Sequence, residues 1–277
     1  MSMELPHKGQ TVQHLAGIVP IASPPLEFKM PWHDCLLPVA PEITALEKSI
    51  YECAIAGCET IWVVGHMKLE PIIKKKVGNF IIDPVSIDRY TNKLLKQIPI
   101  YYVPIHPRDK NRRDCLSWSA MYGARISYFI SRKLSKWILP EKFFCSFPYG
   151  VTDFDTLRES RLLISSTSNT SFYYNNLCVK DNLHINFTFN EKDYFSCCNT
   201  IKQKDLEDWQ KSTRGSMFYD LKTALSSLDV TDSKMIELPW FYDISTWDGY
   251  REYIASNHSK NVKFSKDLFQ ITKKDKY

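Results

Sequence analysis

The segment Arg108-Asp-Lys-Asn-Arg-Arg-Asp-Cys-Leu-Ser-Trp-Ser119 places cations and hydroxyls at the mouth of a long apolar-periodic stretch. The first turn of a helix has unpaired N–H groups and a positive dipole end, so such a mouth attracts anions. Arg112 and Arg113 are candidates to neutralise a phosphate, with Ser117 and Ser119 as hydrogen-bonding partners. The rival reading is a charged loop in which Asp114 or Ser117 caps the helix. Asp153 and Asp155, two residues apart, and Asp243 are the candidate functional carboxylates. Each also suits the competing role of helix cap or turn former. His66 and His106 each follow a β-rich stretch, and Tyr149 lies in Ser146-Phe-Pro-Tyr-Gly150. These three are candidate substrate or nucleotide contacts, although a loop histidine is more often just hydrogen-bonded in place.

Elements that would position these groups are legible in the periodicity. Gly17–Ala22, Ile61–Val64, Ile98–Val103 and Lys142–Phe147 are short apolar runs of the kind that form strands covered on both faces. Between them, Pro41–Ala56 repeats Ile43, Leu46, Ile50 and Ala54 at helical spacing, with Gly57 at the C′ position. Glu70–Val77 reads as a short helix. Leu116–Ile138 reads as a long one, with Leu116, Ser119, Gly123, Ile126, Phe129 and Ile130 on one face. The alternation of strand and helix predicts an α/β domain with a Rossmann-like, mainly parallel sheet flanked by helices. In such a sheet ligands bind outside the carboxyl ends of the strands. After Gly150 the pattern changes. Residues 160–200 alternate as antiparallel strands do, Asp205–Leu228 reads as helix with a break near Gly215, Met235–Ile244 as a late strand and Trp247–Asn257 as a last helix. The expected organisation is a single domain over residues 1–258, with a nucleotide-binding half (16–150) and an accessory half (151–258), followed by a basic tail (259–277).

Composition narrows the classes. At 277 residues, 44% hydrophobic and 24% charged, the chain can bury a full core. The net charge of +5 is spread along the sequence, which does not imply a nucleic-acid partner. No apolar run is long enough to span a membrane, and no signal peptide is read at the N-terminus. The eight cysteines form neither a CxxC nor a zinc spacing and suit buried, reduced thiols, which points to the cytoplasm.

Two stretches carry a resemblance to a family. Cys35-Leu-Leu-Pro-Val39, then a helix, then Ala56-Gly-Cys and Thr60-Ile-Trp-Val-Val64, resembles the first βα units of sugar-1-phosphate nucleotidyltransferases. Leu238-Pro-Trp-Phe-Tyr-Asp-Ile-Ser-Thr-Trp-Asp-Gly-Tyr250 is similar to that family's late strand and the turn into a helix. The resemblance implies a fold related to the GT-A glycosyltransferases. It also implies Mg²⁺-dependent transfer of a nucleotidyl group from an NTP to a sugar 1-phosphate, with a nucleotide or nucleotide sugar as the bound partner. It places Asp243 at the second metal-binding aspartate. The chain departs from the family elsewhere. Its first loop, Ala22 to Asp34, has no glycine and three prolines, Pro24, Pro25 and Pro31, so few backbone N–H groups could cradle a triphosphate. Asp34 stands where the family has lysine, leaving Lys29 as the possible substitute. The first metal aspartate is displaced, the nearest carboxylates being Asp153 and Asp155, which also read as the DxD of GT-A glycosyltransferases. Three functions follow: an active divergent nucleotidyltransferase, placed first; a degraded fold that binds or builds without turnover; and a GT-A-like glycosyltransferase. A protein partner or homo-oligomer remains open.

Overall fold

The computed structural model describes residues 14–22, 26–85, 96–110, 113, 115–134, 139–210, 221–228, 233–262 and 268–269. Its centre is an eight-stranded sheet. In chain order the strands are β1 (Leu15–Pro20), β4 (Thr60–Gly65), β5 (Phe80–Ile82), β6 (Gln97–Pro104), β7 (Lys142–Cys145), β9 (Thr170–Tyr173), β10 (Phe187–Asn190) and β11 (Lys234–Glu237). Two minor ribbons pair β2 (Pro38–Ala40) with β3 (Ile43–Thr44) and β8 (Gly150–Thr152) with β12 (Phe241–Asp243). The spatial order of the main sheet is β11-β9-β10-β7-β1-β4-β6-β5. β7, β1, β4 and β6 run parallel, and β10 and β5 run against their neighbours. The sheet is thus mixed but mainly parallel, as the strand–helix alternation requires. β1 is buried along its whole length and β4 nearly so, because helices cover both faces.

The helix expected from Pro41 begins at Ala45 instead. Thr44 caps it: its Oγ1 accepts from the Glu47 N–H at 3.3 Å, and Glu47 Oε2 accepts from the Thr44 N–H at 2.8 Å. This Thr-x-x-Glu capping box sets the start more strongly than the proline does. Pro41 and Glu42 form the preceding turn, with Glu42 at φ 64°. Gly57 ends the helix in the left-handed region, at φ 96°. Glu70–Val77 is a helix as expected. Met235–Ile244 is broken by Pro239 into β11 in the main sheet and β12 in the ribbon, since proline cannot donate to a ladder. The helix Glu191–Gln210 starts well before Asp205, and the break near Gly215 lies outside the described residues.

The long helix runs over Leu116–Leu134, with 135–138 outside the described residues. Its buried face contains Leu116, Ala120, Gly123, Ala124, Ser127 and Ser131. Phe129 was expected on this face but is 53% exposed. The small residues allow the helix to lie close on β1 and β4. A Cβ at Gly123 would stand 2.6 Å from Val64 Cγ2 and 2.9 Å from Ile18 Cγ2, and neither is the free end of a long chain. Gly123→Ala is therefore expected to lower stability by about 1–3 kcal/mol through overpacking, against its gain in helix propensity. Urea denaturation checks this, and a stabilised variant would disprove the close packing.

All eight cysteines are unpaired, and only Cys178 is not fully buried. No helix among the described residues is long and apolar enough to cross a membrane.

Candidate functional site

The carboxyl ends of β1, β4, β6 and β7 lie side by side, and the chain leaving each one carries the residues singled out above. Beyond β1, the Ile21 and Ala22 N–H groups both donate to Val64 O, at 2.8 and 3.1 Å. Ser119, fully buried, donates to Ala22 O at 2.7 Å and to Cys115 O at 3.0 Å. It thus fixes the start of the long helix to the end of β1. Ser117, also fully buried in the first turn, has a hydroxyl with no hydrogen-bond partner among the described residues.

Arg113 is held differently from the anion-binding reading. Its Nη1 lies 2.8 Å from Asp109 and its Nη2 2.8 Å from Asp205, and its guanidinium sits 4.9 Å from the Trp118 ring centre. Two carboxylates neutralise this cation in place. Arg112 lies outside the described residues. His66 is half-buried after β4, and its carbonyl accepts from the Tyr102 hydroxyl at 2.6 Å. His106 is exposed after β6, and its Nδ1 accepts from the Arg108 N–H at 3.2 Å.

The glycine-free loop is fixed by side chains. Asp34 is 6% exposed, and its Oδ2 accepts from the Leu26 N–H at 2.7 Å. Glu27 Oε1 accepts from the Trp247 N–H at 2.6 Å. Phe28 packs edge-on against Trp247, with ring centres 4.8 Å apart. Asp34 thus closes the loop onto Leu26. Lys29 is exposed, at φ 50°.

The ribbon of β8 and β12 carries the acidic candidates. Asp243 pairs with Gly150 across it. Asp243 Oδ2 lies 2.8 Å from His184 Nδ1, and its Oδ1 accepts from the Ser245 N–H at 2.9 Å. Burial would raise its pKa, but His184 and the Ser245 N–H together outweigh burial and hold it below the ordinary carboxylate value. An ionised Asp243 only accepts, so the proton between the two groups sits on Nδ1 of His184. The His184 ring is flanked edge-on by Phe147 and Tyr149, at 5.7 and 5.8 Å. Tyr149 is fully buried, and its carbonyl accepts from the Ile244 N–H at 2.7 Å. Gly150 is required here, because a Cβ would collide with the His184 carbonyl.

Asp153 caps the helix Phe154–Glu159, accepting from the Thr156 N–H at 2.9 Å and its hydroxyl at 2.7 Å. Asp155 is exposed in that helix's first turn. Asp153 is thus engaged at a helix N-terminus and Asp243 with His184. No group of three metal-ligating side chains gathers among the described residues, so these carboxylates do not assemble into a magnesium site there.

Beneath the site lies a network that the sequence reading missed. Lys48 and Glu52, one turn apart on Ala45–Ala56, are 1% and 0% exposed. Lys48 Nζ donates to Glu52 at 3.2 Å, to Phe147 O at 2.9 Å and to Gly150 O. Glu52 also accepts from Ser146 at 2.6 Å, Asn186 at 3.2 Å and Thr152 at 3.3 Å. This network pins Ser146–Gly150, the segment leaving β7. Its one sequence signal is a Lys-x-x-x-Glu pair inside an otherwise apolar helix. His184, between two apolar residues of an alternating stretch, gave none.

No protein-family model matches the chain. No curated protein matches it either. Solved structures do. A protein assigned as a glucose-1-phosphate thymidylyltransferase from Bacillus anthracis, in complex with a sucrose, superposes with TM-score 0.58 at 9% identity, over 92% of this chain and 98% of that one. A UDP-glucose pyrophosphorylase complexed with UDP-glucose gives TM-score 0.52 at 9% identity, over 87% and 97%. A UTP-bound UGPase from Acinetobacter baumannii gives 0.50 at 13% identity, over 86% and 91%. At such identities the likeness concerns the fold and not the chemistry. The mainly parallel sheet, its flanking helices and these superpositions agree: the chain has the fold of the sugar-1-phosphate nucleotidyltransferases.

Proposed function

We propose that this chain holds a nucleotide or nucleotide sugar at the carboxyl ends of β1, β4, β6 and β7 without transferring the nucleotidyl group. The observation that carries this reading is the His184–Asp243 pair. The carboxylate that the family would give to a metal is engaged by a histidine, and its would-be co-ligand Asp153 is a helix cap. Binding rests on the first turn of the long helix, where the buried Ser117 hydroxyl is unpartnered among the described residues. UTP and UDP-glucose bound to proteins of the same fold suggest the ligand class. In this reading the Ser117 hydroxyl binds a phosphate oxygen, Lys29 approaches from the solvent side, and His66 and His106 edge the same crevice.

Thermal unfolding with UTP, TTP, CTP and UDP-glucose tests this, each with Mg²⁺ and with a chelator. At about 100 times its Kd a ligand stabilises by roughly 2.7 kcal/mol. The expected result is a shift of equal size with and without metal, lost in Ser117→Val, and no pyrophosphate release when a sugar 1-phosphate is added. A metal-dependent shift with pyrophosphate release, both abolished by Asp243→Asn, would overturn the proposal and restore the active transferase. Sugar release from the nucleotide sugar, abolished by Asp155→Asn, would overturn it in favour of a glycosyltransferase. No shift with any nucleotide would also overturn it and leave a structural role.

A further inference from the structure

A cavity of about 340 Å³ lies between the helices Leu116–Leu134 and Glu191–Gln210. Phe129 on its rim is 12 residues along the helix from Ser117, or roughly 18 Å. Its floor is Phe143, near the amino end of β7, 2% exposed and stacked on Phe189 at 5.2 Å. Tyr128, Phe129, Tyr194 and Phe195 form the walls. Phe129 and Phe195 are 53% and 54% exposed. Arg125 and Lys202 also line the cavity, and among the described residues neither has a carboxylate partner. The nearby Asp109 and Asp205 are both taken by Arg113. The one acid on the lining, Glu191, is 11 residues from Lys202, about three helical turns away. The positive field is felt inside: burial lifts the Cys198 thiol to about 11 while Lys202, Tyr194, Arg125 and Arg113 pull it down.

We propose that this cavity is a second ligand site, for a flat apolar anion: an aromatic ring carrying one carboxylate, sulfonate or phosphate group. Its size falls within the range of small-molecule pockets, which combine apolar walls with a few placed polar groups. Five aromatic side chains favour a ring, which they meet face-on or edge-on. Arg125 and Lys202, the cations of the lining, receive the acidic group.

The probe is 1-anilinonaphthalene-8-sulfonate, an aromatic anion, titrated by fluorescence against the full chain. Its uncharged parent, N-phenyl-1-naphthylamine, is the control. One saturable site is expected. Arg125→Glu/Lys202→Glu should weaken the sulfonate at least about tenfold, the loss of one charge-assisted contact. The same variant should leave the neutral probe and the melting temperature unchanged, and Phe195→Ala should weaken both probes. Absence of saturable binding, or equal response of both probes to the charge reversal, would overturn the proposal. The nucleotide screen is read separately, so either result leaves the other standing.

Discussion

Replacing Lys48 with methionine is expected to cost about 3–5 kcal/mol of unfolding free energy, the range for breaking a buried ion pair. The methionine fills much of the space but donates nothing. Glu52, 0% exposed, would be left with only the neutral donors Ser146, Thr152 and Asn186. The carbonyls of Phe147 and Gly150 would lose their ammonium donor as well. Glu52→Gln should cost less, because a buried lysine left without its partner can shed its proton, and the glutamine oxygen still accepts from these neutral donors. Burial already lowers the Lys48 pKa, with Glu52 working against that. In Glu52→Gln the opposition is gone and the folded value falls further. The unfolded chain then binds more protons than the folded one between that value and the ordinary lysine value of about 10.4. Stability of this variant should therefore rise with pH across that window. Urea denaturation at several pH values measures both effects. A Lys48→Met loss below about 1 kcal/mol would show that the pair does not carry the segment under the site.

The second large effect is expected at Arg161. Its guanidinium meets Asp83 with both terminal nitrogens, at 3.0 and 2.7 Å. Nη1 also reaches the carbonyls of Ala54 and Ile55 at 3.3 Å each, the free end of the helix Ala45–Ala56. One side chain thus caps that helix, neutralises an aspartate that is 4% exposed, and ties the segment after Ser160 to the far side of the core. Arg161→Ala should cost about 2–4 kcal/mol, since it strands a buried charge and uncaps a helix end together. Arg161→Lys should recover less than half of this, because a point charge cannot make the forked contact. Equal stability of the lysine variant would mean that only the charge matters.

Both networks join residues dozens of positions apart, and this separates what was legible from what was not. The strands of the parallel core could be read because β1, β4, β6 and β7 are apolar runs covered on both faces. Glu70–Val77 and Trp247–Ala255 were legible because caps and periodicity are local properties. The start at Thr44 was equally legible, had the Thr-x-x-Glu box been given more weight than Pro41. The functional residues divide along the same line. That Ser117 and Ser119 enter a helix at a strand's carboxyl end follows from order along the chain. That Ser119 is consumed by Ala22 while Ser117 stays unpartnered among the described residues does not. Asp153 and Asp243 look alike as sequence, each followed by residues that open a helix. Only the register of β8 on β12 separates them, and only the return of the chain through His184 supplies the partner of Asp243. Hydrophobic period and capping act within one or two turns, so the sequence by itself determined the strand–helix order and the fold class. The pairing of charges depends on which distant segments the folded sheet brings within 3 Å, so the tertiary structure alone decided which acids and cations are paired with each other.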